Sequence, residues 1–359
     1  MSDLVPQQPL FSHAVRRRKW IAENLARGVP AGRLQALLIQ TGVEPSQAHS
    51  ELTAAAAHPA VRIVNTLASR SQELEALLAA YSSLHQQSPE SGQVDRRAQL
   101  APAEFFEQYY FRHRPVVIGG LLSDWPALSR WSPESFAERF GDEQVTLLAG
   151  READPDPDFH GASLVRKVRM REFVRWIRAA RLTNDFYLAG RNHLLQNPAF
   201  SPLREEFHAP AGFIAPDLRE PDSHHLWFGP AGTLSNLHHD GVNVLFCQVY
   251  GRKRVWLIPS FETPRLYNDR GFYSAVDILA PKPGRYPDFQ RVKVISLEVG
   301  PGDALFIPVG WWHAVQALEV SMSVTFVRFA LPQRNHWLKH LWLGPEPDKV
   351  PSPKEAAPS

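Results

Sequence analysis

The sequence predicts an α+β protein, mainly β, in which a small N-terminal helical module precedes a β-barrel domain. Two observations carry this. Residues 14 to 85 place apolar side chains at helical spacing, punctuated by Gly and Pro. Beyond about Leu100 strand signals take over: VNVLFCQVYGRKRVWLIP (242 to 259) and ALFIP (304 to 308) are rich in β-branched and aromatic residues and bounded by turn residues. A chain of 359 residues, 44% of them hydrophobic, suits one large domain or two unequal ones.

In chain order, AVRRRKWIAENLARG ends at Gly28, Pro30 opens AGRLQALLIQTG, and Pro45-Ser46 caps QAHSELTAAAA. VRIVNTLASRSQELEALLAAYSSL then forms a longer amphipathic stretch, so the module at 1–85 holds three short helices and one long one. The run Arg16-Arg17-Arg18-Lys19 suits a solvated helix face or an acidic partner. Residues 86–99, QQSPESGQVDRRAQ, lack apolar periodicity and predict a linker. The second domain is expected at 100–335. Within it, VRKVRMREFVRWIRAARL (165 to 182) predicts one basic amphipathic helix with Met170, Phe173, Val174 and Ile177 as its apolar stripe, its basic face solvated or steering an acidic substrate. Gly300-Pro301-Gly302-Asp303 predicts a turn, and the Pro-rich end at 343–359 predicts disorder.

Composition excludes several classes. No run approaches 18 consecutive apolar residues, so no membrane span is expected. The N-terminus sets its basic residues after a mixed segment and does not resemble a secretory signal, which predicts a cytoplasmic protein. A single cysteine, Cys247, excludes an internal disulfide and reads as a small buried hydrophobe. A net charge of +2 argues neither for nor against nucleic acid, which is not expected as a partner.

The chemistry-bearing pattern is His238-His239-Asp240 followed by Trp311-Trp312-His313. Two imidazoles and one carboxylate on one face of Fe(II) leave three positions for a cosubstrate and dioxygen, the arrangement of a non-haem oxygenase. Strand alternation sends residues i and i+2 the same way, so His238 and Asp240 can share a metal while His239 points elsewhere. His313 would join them from another strand of the barrel. Each histidine alone equally suits a hydrogen-bonded position at a strand end; the ordered combination with the Gly-Arg-Lys-Arg and Gly-Asp turns points to a metal.

With those residues in place, the sequence resembles the JmjC-type Fe(II)/2-oxoglutarate oxygenases, in particular the bacterial cupin-like branch related to JmjC protein hydroxylases. The resemblance runs over about residues 100 to 330, through FFEQYYFRHRPVVIGGLLSDWPALSRW (105 to 131), NDFYLAGRN (184 to 192), LWFGPAGTLSNLHHD (226 to 240), QVYGRKRVWLIPS (248 to 260), RLYND (265 to 269) and VGPGDALFIPVGWWHAVQALEVSMSVTF (299 to 326). It implies a double-stranded β-helix, the cupin jelly roll. It implies His238, Asp240 and His313 as iron ligands, and Lys253, Ser235 and Tyr187 as the groups holding the distal carboxylate of 2-oxoglutarate. Taken singly, Lys253 suits an exposed turn, Ser235 a turn hydroxyl and Tyr187 a core aromatic. The cofactors implied are Fe(2+), 2-oxoglutarate and O2, the partner a protein or peptide substrate, and the activity side-chain hydroxylation; a homodimer is compatible with the family, although no coiled-coil heptad or exposed stripe in the sequence establishes it.

Two departures bear on the cosubstrate. Val244 stands where many relatives have asparagine, with Asn243 one position earlier and so pointing the other way on a strand. Arg328 stands where some relatives have asparagine. Both keep open a non-catalytic cupin-like binding or regulatory protein, and a different metal-cupin enzyme is the third reading. Trp311 and Trp312 are expected to pack at the barrel rim.

Overall fold

The computed structural model describes residues 14–190, 192–218, 223–268 and 271–331. The reading of the first residues as lacking a secretory signal and the Pro-rich tail at 343–359 lie outside them. The chain forms two compact units, 1–85 and 86–359. No helix among the described residues is long and apolar enough to cross a membrane.

The first unit contains α1 (Ala14–Ala26), α2 (Ala31–Gln40), α3 (Pro45–Ala57) and nearly all of α4 (Pro59–Gln87). Ile21, Leu25, Leu34, Leu38, Ala48, Leu52 and Val61 make its small core. Arg17, buried in α1, clasps Glu51 of α3 at 2.5 Å, and the Glu44 carboxylate caps α3 by accepting from the Gln47 amide at 3.0 Å.

The second unit is built on thirteen strands among the described residues: β1 (Asp95–Arg97), β2 (Val116–Ile118), β3 (Gln144–Ala149), β4 (Val165–Arg169), β5 (Phe186–Tyr187), β6 (His224–Gly229), β7 (Leu234–His239), β8 (Val244–Tyr250), β9 (Lys253–Ile258), β10 (Ile295–Val299), β11 (Ala304–Ile307), β12 (Trp312–Ala317) and β13 (Ser321–Phe326). The last eight form the predicted cupin jelly roll. A six-stranded sheet runs β1-β2-β11-β8-β13-β6 and a four-stranded sheet runs β10-β9-β12-β7, while β4-β3-β5 make a third, small sheet. Val117, Val244, Phe246, Leu305 and Ile307 from the large sheet meet Val255, Leu257, Ile295, Val299 and Val315 from the small one, forming the barrel interior. The opposite face of the large sheet, with Leu245, Cys247, Phe306, Val324 and Phe326, lies under α7 (Pro133–Phe140) and α8 (Met170–Ala179), which follow the short α5 (Pro102–Phe105) and α6 (Ala127–Arg130). Cys247 is fully buried there, and burial pushes its thiol pKa up, as suits a small hydrophobe.

Three sequence expectations are corrected. Asp95–Arg97, within the predicted linker at 86–99, form an edge strand parallel to β2. This strand is held by distant partners: Arg96 pairs with Asp303 at 2.6 Å and Asp95 accepts from Tyr109 at 3.0 Å. Three residues are too few for an alternation signal. The helix expected over 165–182 begins only at Met170, because Val165–Arg169 pair with β3 over Gln144–Leu148. Its predicted apolar stripe is buried as expected. Finally, Trp312 is no rim residue. It is fully buried on the outer face of the small sheet with Leu237, Ile258, Leu266, Tyr286 and Phe289, and its indole donates to Thr263 at 2.9 Å.

Candidate active site

His238 and His313 face each other across the antiparallel β7–β12 pair, and Ser235 faces Val315. Going from 313 to 315 takes two residues on β12, but going from 238 to 235 takes three on β7. The extra residue is a β-bulge. In a regular strand Ser235 and His238 would point to opposite faces; the bulge turns both into the barrel. On the other side of β12, Leu257 faces His313, Val255 faces Val315 and Lys253 faces Ala317. Residues 253, 255 and 257 therefore share that inner face, with Lys253 at the far end of the row from His313.

At the near end, one donor atom each from His238, Asp240 and His313 lie within 4.8 Å of one another. His313 Nε2 is 3.6 Å from an Asp240 carboxylate oxygen, and the two imidazole centroids are 4.2 Å apart. The Nδ1 of His238 donates to the Asn236 carbonyl at 2.7 Å and that of His313 to the Trp311 carbonyl at 3.0 Å. A carbonyl only accepts, so each ring carries its proton on Nδ1 and keeps the Nε2 lone pair for a metal. Burial, reinforced by His238, pushes His313 down to about 4, so it is neutral at ordinary pH. His239 takes the other direction, as alternation predicts: its ring packs against Trp312 at 4.6 Å and Phe272 at 4.9 Å. The donor set suits a divalent first-row metal.

At the far end Lys253 is 2% exposed. Among the described residues no carboxylate or carbonyl accepts from its Nζ, which sits 5.2 Å from the Phe246 ring centroid and 6.0 Å from that of Tyr187. Burial pushes its pKa down to about 7. Tyr187, also buried, hydrogen-bonds Ser235, and its own pKa is raised chiefly by burial. An ammonium and two hydroxyls meeting in an apolar barrel make an anion pocket. Val244 lines the interior, while Asn243 is spent elsewhere: its side-chain oxygen accepts the Val309 amide at 2.7 Å, and it hydrogen-bonds the Tyr110 hydroxyl.

Sequence reasoning missed the residues that hold the bulge. Arg151 donates to the Leu234 carbonyl at 2.8 Å, Asn184 accepts the Leu234 amide at 2.9 Å, and Asp158 accepts the Asn236 amide at 2.8 Å. Arg151 and Asp158 are ion-paired at 2.9 Å, with the Arg151 side chain fully buried. Asn236 then passes its carbonyl to His238. These partners lie 50 to 83 residues from β7 in sequence, so no local period announces them.

Residues 102–327 match the cupin-like domain family. Curated relatives include lysine-specific demethylase 8 of Xenopus tropicalis, 31% identical over 228 residues covering 62% of this chain and 49% of that protein. Lysine-specific demethylase JMJ30 of Arabidopsis thaliana is 28% identical, covering 65% of this chain and 54% of that protein. The bifunctional peptidase and (3S)-lysyl hydroxylase JMJD7 of Homo sapiens is 24% identical over 63% of this chain and 80% of its own. The chain spans about half the length of the first two.

Proposed function

The chain belongs to the cupin-like domain family, and from that premise we propose that it is an Fe(II)- and 2-oxoglutarate-dependent oxygenase that hydroxylates a side chain of a protein or peptide. The observation that carries this reading is the inner face shared by β7, β9 and β12, with three metal donors at one end and an unneutralised buried lysine at the other. Lys253 and Ser235 argue against a zinc or manganese isomerase, because together they suit the distal carboxylate of 2-oxoglutarate. The helical module ahead of the barrel supports a place in the bacterial branch related to JmjC protein hydroxylases.

His238, Asp240 and His313 would hold the iron, which supplies oxygen activation coupled to decarboxylation of 2-oxoglutarate to succinate. Lys253 neutralises the distal carboxylate, and Ser235 and Tyr187 orient it through their hydroxyls. Val244, Phe246, Val255 and Leu257 line the space between and exclude water. Asp240, with a side chain 40% exposed, marks the open side from which a substrate approaches. The relatives' names, lysine-specific demethylases and a lysyl hydroxylase, support a protein side chain as the substrate.

The test is anaerobic titration of the Fe(II)-loaded protein with 2-oxoglutarate, watching for the visible charge-transfer band of a chelated keto acid. The band is expected in the wild type and in His239→Ala, and lost in Lys253→Ala, which keeps its iron. His238→Ala and Asp240→Ala should lose iron itself. A folded, iron-loaded protein that shows no band would sink the reading in favour of a non-catalytic barrel, with Val244 as the altered wall.

A further inference from the structure

Helix α4 is 29 residues long, about 43 Å at 1.5 Å per residue, yet its buried residues are only Val61 and Ser82. Ile63, Leu67, Leu74, Leu77, Tyr81 and Leu84 are each between 50% and 63% exposed. A helix of this kind draws its stability from packing an apolar face, and single-residue propensity does not replace that. Exposed apolar side chains scattered singly need no explanation, but a contiguous row marks an interaction surface.

The exposed row corrects the sequence expectation of no coiled-coil heptad: it has a specific period that Arg70 interrupts. Positions 63, 67, 70, 74, 77, 81 and 84 alternate steps of four and three, the seam of a left-handed coiled coil sustained over three heptads. Six of the seven are large apolar residues and the seventh is Arg70. This is narrower than the stripe a helix shows a globular core, and it fits another helix with the same repeat. An identical α4 carries that repeat by construction.

We propose that α4 is a homodimerisation helix, pairing antiparallel with α4 of a second copy. Arg70 decides the direction. Parallel in-register pairing would stack Arg70 on Arg70 in a core layer, a like-charge contact in an apolar seam. Antiparallel pairing centred between Leu74 and Leu77 sets Leu74 against Leu77 of the second copy and Leu67 against Leu84. It lays Arg70 beside the ring of Tyr81, a cation–π contact. Ile63 falls opposite position 88, past the end of the helix; the other five side chains offer on the order of 100 Å² each, or roughly 1,000 Å² over both copies, the least that a specific interface clears. Small neighbours, Ser71 and Ala80 among them, leave room for close approach.

Light scattering on the full chain during size exclusion tests this, over a concentration series. Twice the chain mass is expected for the wild type and the single-chain mass for Leu74→Glu/Leu77→Glu, whose substitutions fall on exposed positions and should leave the helical circular dichroism intact. A wild-type monomer at all concentrations overturns the proposal, as does a dimer that the double substitution leaves unchanged. Should the glutamates lower helicity, Leu74→Gln/Leu77→Gln repeats the test without the charge. Orientation is read by crosslinking: a mixture of Leu67→Cys and Leu84→Cys proteins should form the mixed disulfide. Disulfides joining each variant to itself would instead establish parallel pairing and refute the antiparallel one.

Discussion

Arg151 and Lys253 are two buried cations placed near the same ring: the Arg151 guanidinium carbon is 5.8 Å and the Lys253 nitrogen 6.0 Å from the centroid of Tyr187. Around Arg151 the protein supplies a counter-charge and carbonyl acceptors, although Nη1, 2.9 Å from Asp158, has no hydrogen-bond partner. Asp158 supplies the counter-charge, and the carbonyls of Asn184 and Leu234 accept its other protons at 3.1 and 2.8 Å. Around Lys253 nothing among the described residues does so. A completed buried ion holds structure; an incomplete one costs folding energy until an anion arrives. The difference separates a residue that shapes the site from one whose charge the protein leaves unneutralised, although both are buried and basic.

Removing the completed cation should have the largest effect. Arg151→Met leaves the half-buried Asp158 without its partner and the Leu234 carbonyl without a donor, which should cost about 3 kcal/mol. Urea unfolding measures it. Iron affinity should fall with it, since the bulge loses the Arg151 brace on Leu234 and the ion pair that fixes Asp158, its brace on Asn236. Adding Asp158→Asn should recover part of the loss. A single substitution costing under about 1 kcal/mol would mean the pair is no more than a surface ion pair, and the contrast with Lys253 would collapse.

Removing the incomplete cation should do the reverse. Lys253→Met deletes a charge that the barrel does not neutralise, so stability without cosubstrate should hold or rise by on the order of 1 kcal/mol. Affinity for 2-oxoglutarate should drop by roughly 30-fold or more, as expected on losing one partner of a buried charge pair worth about 2–5 kcal/mol. A destabilised Lys253→Met would show that the lysine is structural after all.

The same asymmetry sets a pH dependence. With its pKa pushed down to about 7, Lys253 is charged in both folded and unfolded chains below that pH, and its burial penalty is fully present there. Above about 7 the folded chain sheds the proton while the unfolded chain keeps it up to the usual lysine range. The unfolded state then binds more protons, so stability rises with pH across that window. Binding of 2-oxoglutarate needs the ammonium and should weaken as pH rises through about 7, with proton uptake on binding. Calorimetry in buffers of different ionisation enthalpy reads the uptake, and Lys253→Met should abolish it together with the stability slope.

This contrast also marks what was legible in the sequence. The metal donors announce themselves through two short motifs on adjacent strands, and alternation alone sorts His238 from His239. For Lys253 the turn alone suggests an exposed residue, and only the family resemblance marks it out; its burial at the start of β9 is tertiary. By contrast, Ser235 could share a face with His238 only through a bulge, which leaves no mark in the pattern of LSNLHH and emerges from the register with β12. Arg151 and Asp158 sit in a loop, READPDPD, whose composition reads as turn and nothing more. Their role is tertiary. β1 and β4 were hidden for the same reason, one too short and the other basic on an exposed edge. The strands were legible as apolar, β-branched runs, with β8 buried on both faces, Leu245, Cys247 and Val249 under the helices and Val244 and Phe246 in the barrel, whereas the jelly roll itself was implied by the family resemblance.

The smallest expected effect tests whether the bulge and the hydroxyl it presents are separable. Ser235 hydrogen-bonds Tyr187, while the amide and carbonyl that brace the bulge belong to Leu234 and Asn236. Ser235→Ala removes only the side-chain group, so it should weaken 2-oxoglutarate by about 0.5–1.5 kcal/mol, a few-fold to ten-fold, and leave iron affinity unchanged. Tyr187→Phe, which breaks the same hydrogen bond from the other side, should match it in direction. Titrating each variant first with metal and then with cosubstrate separates the two steps. Iron loss in Ser235→Ala would show that the hydroxyl holds the bulge as well as the ligand, and the braces from Arg151 and Asp158 would then be insufficient to fix His238 by themselves.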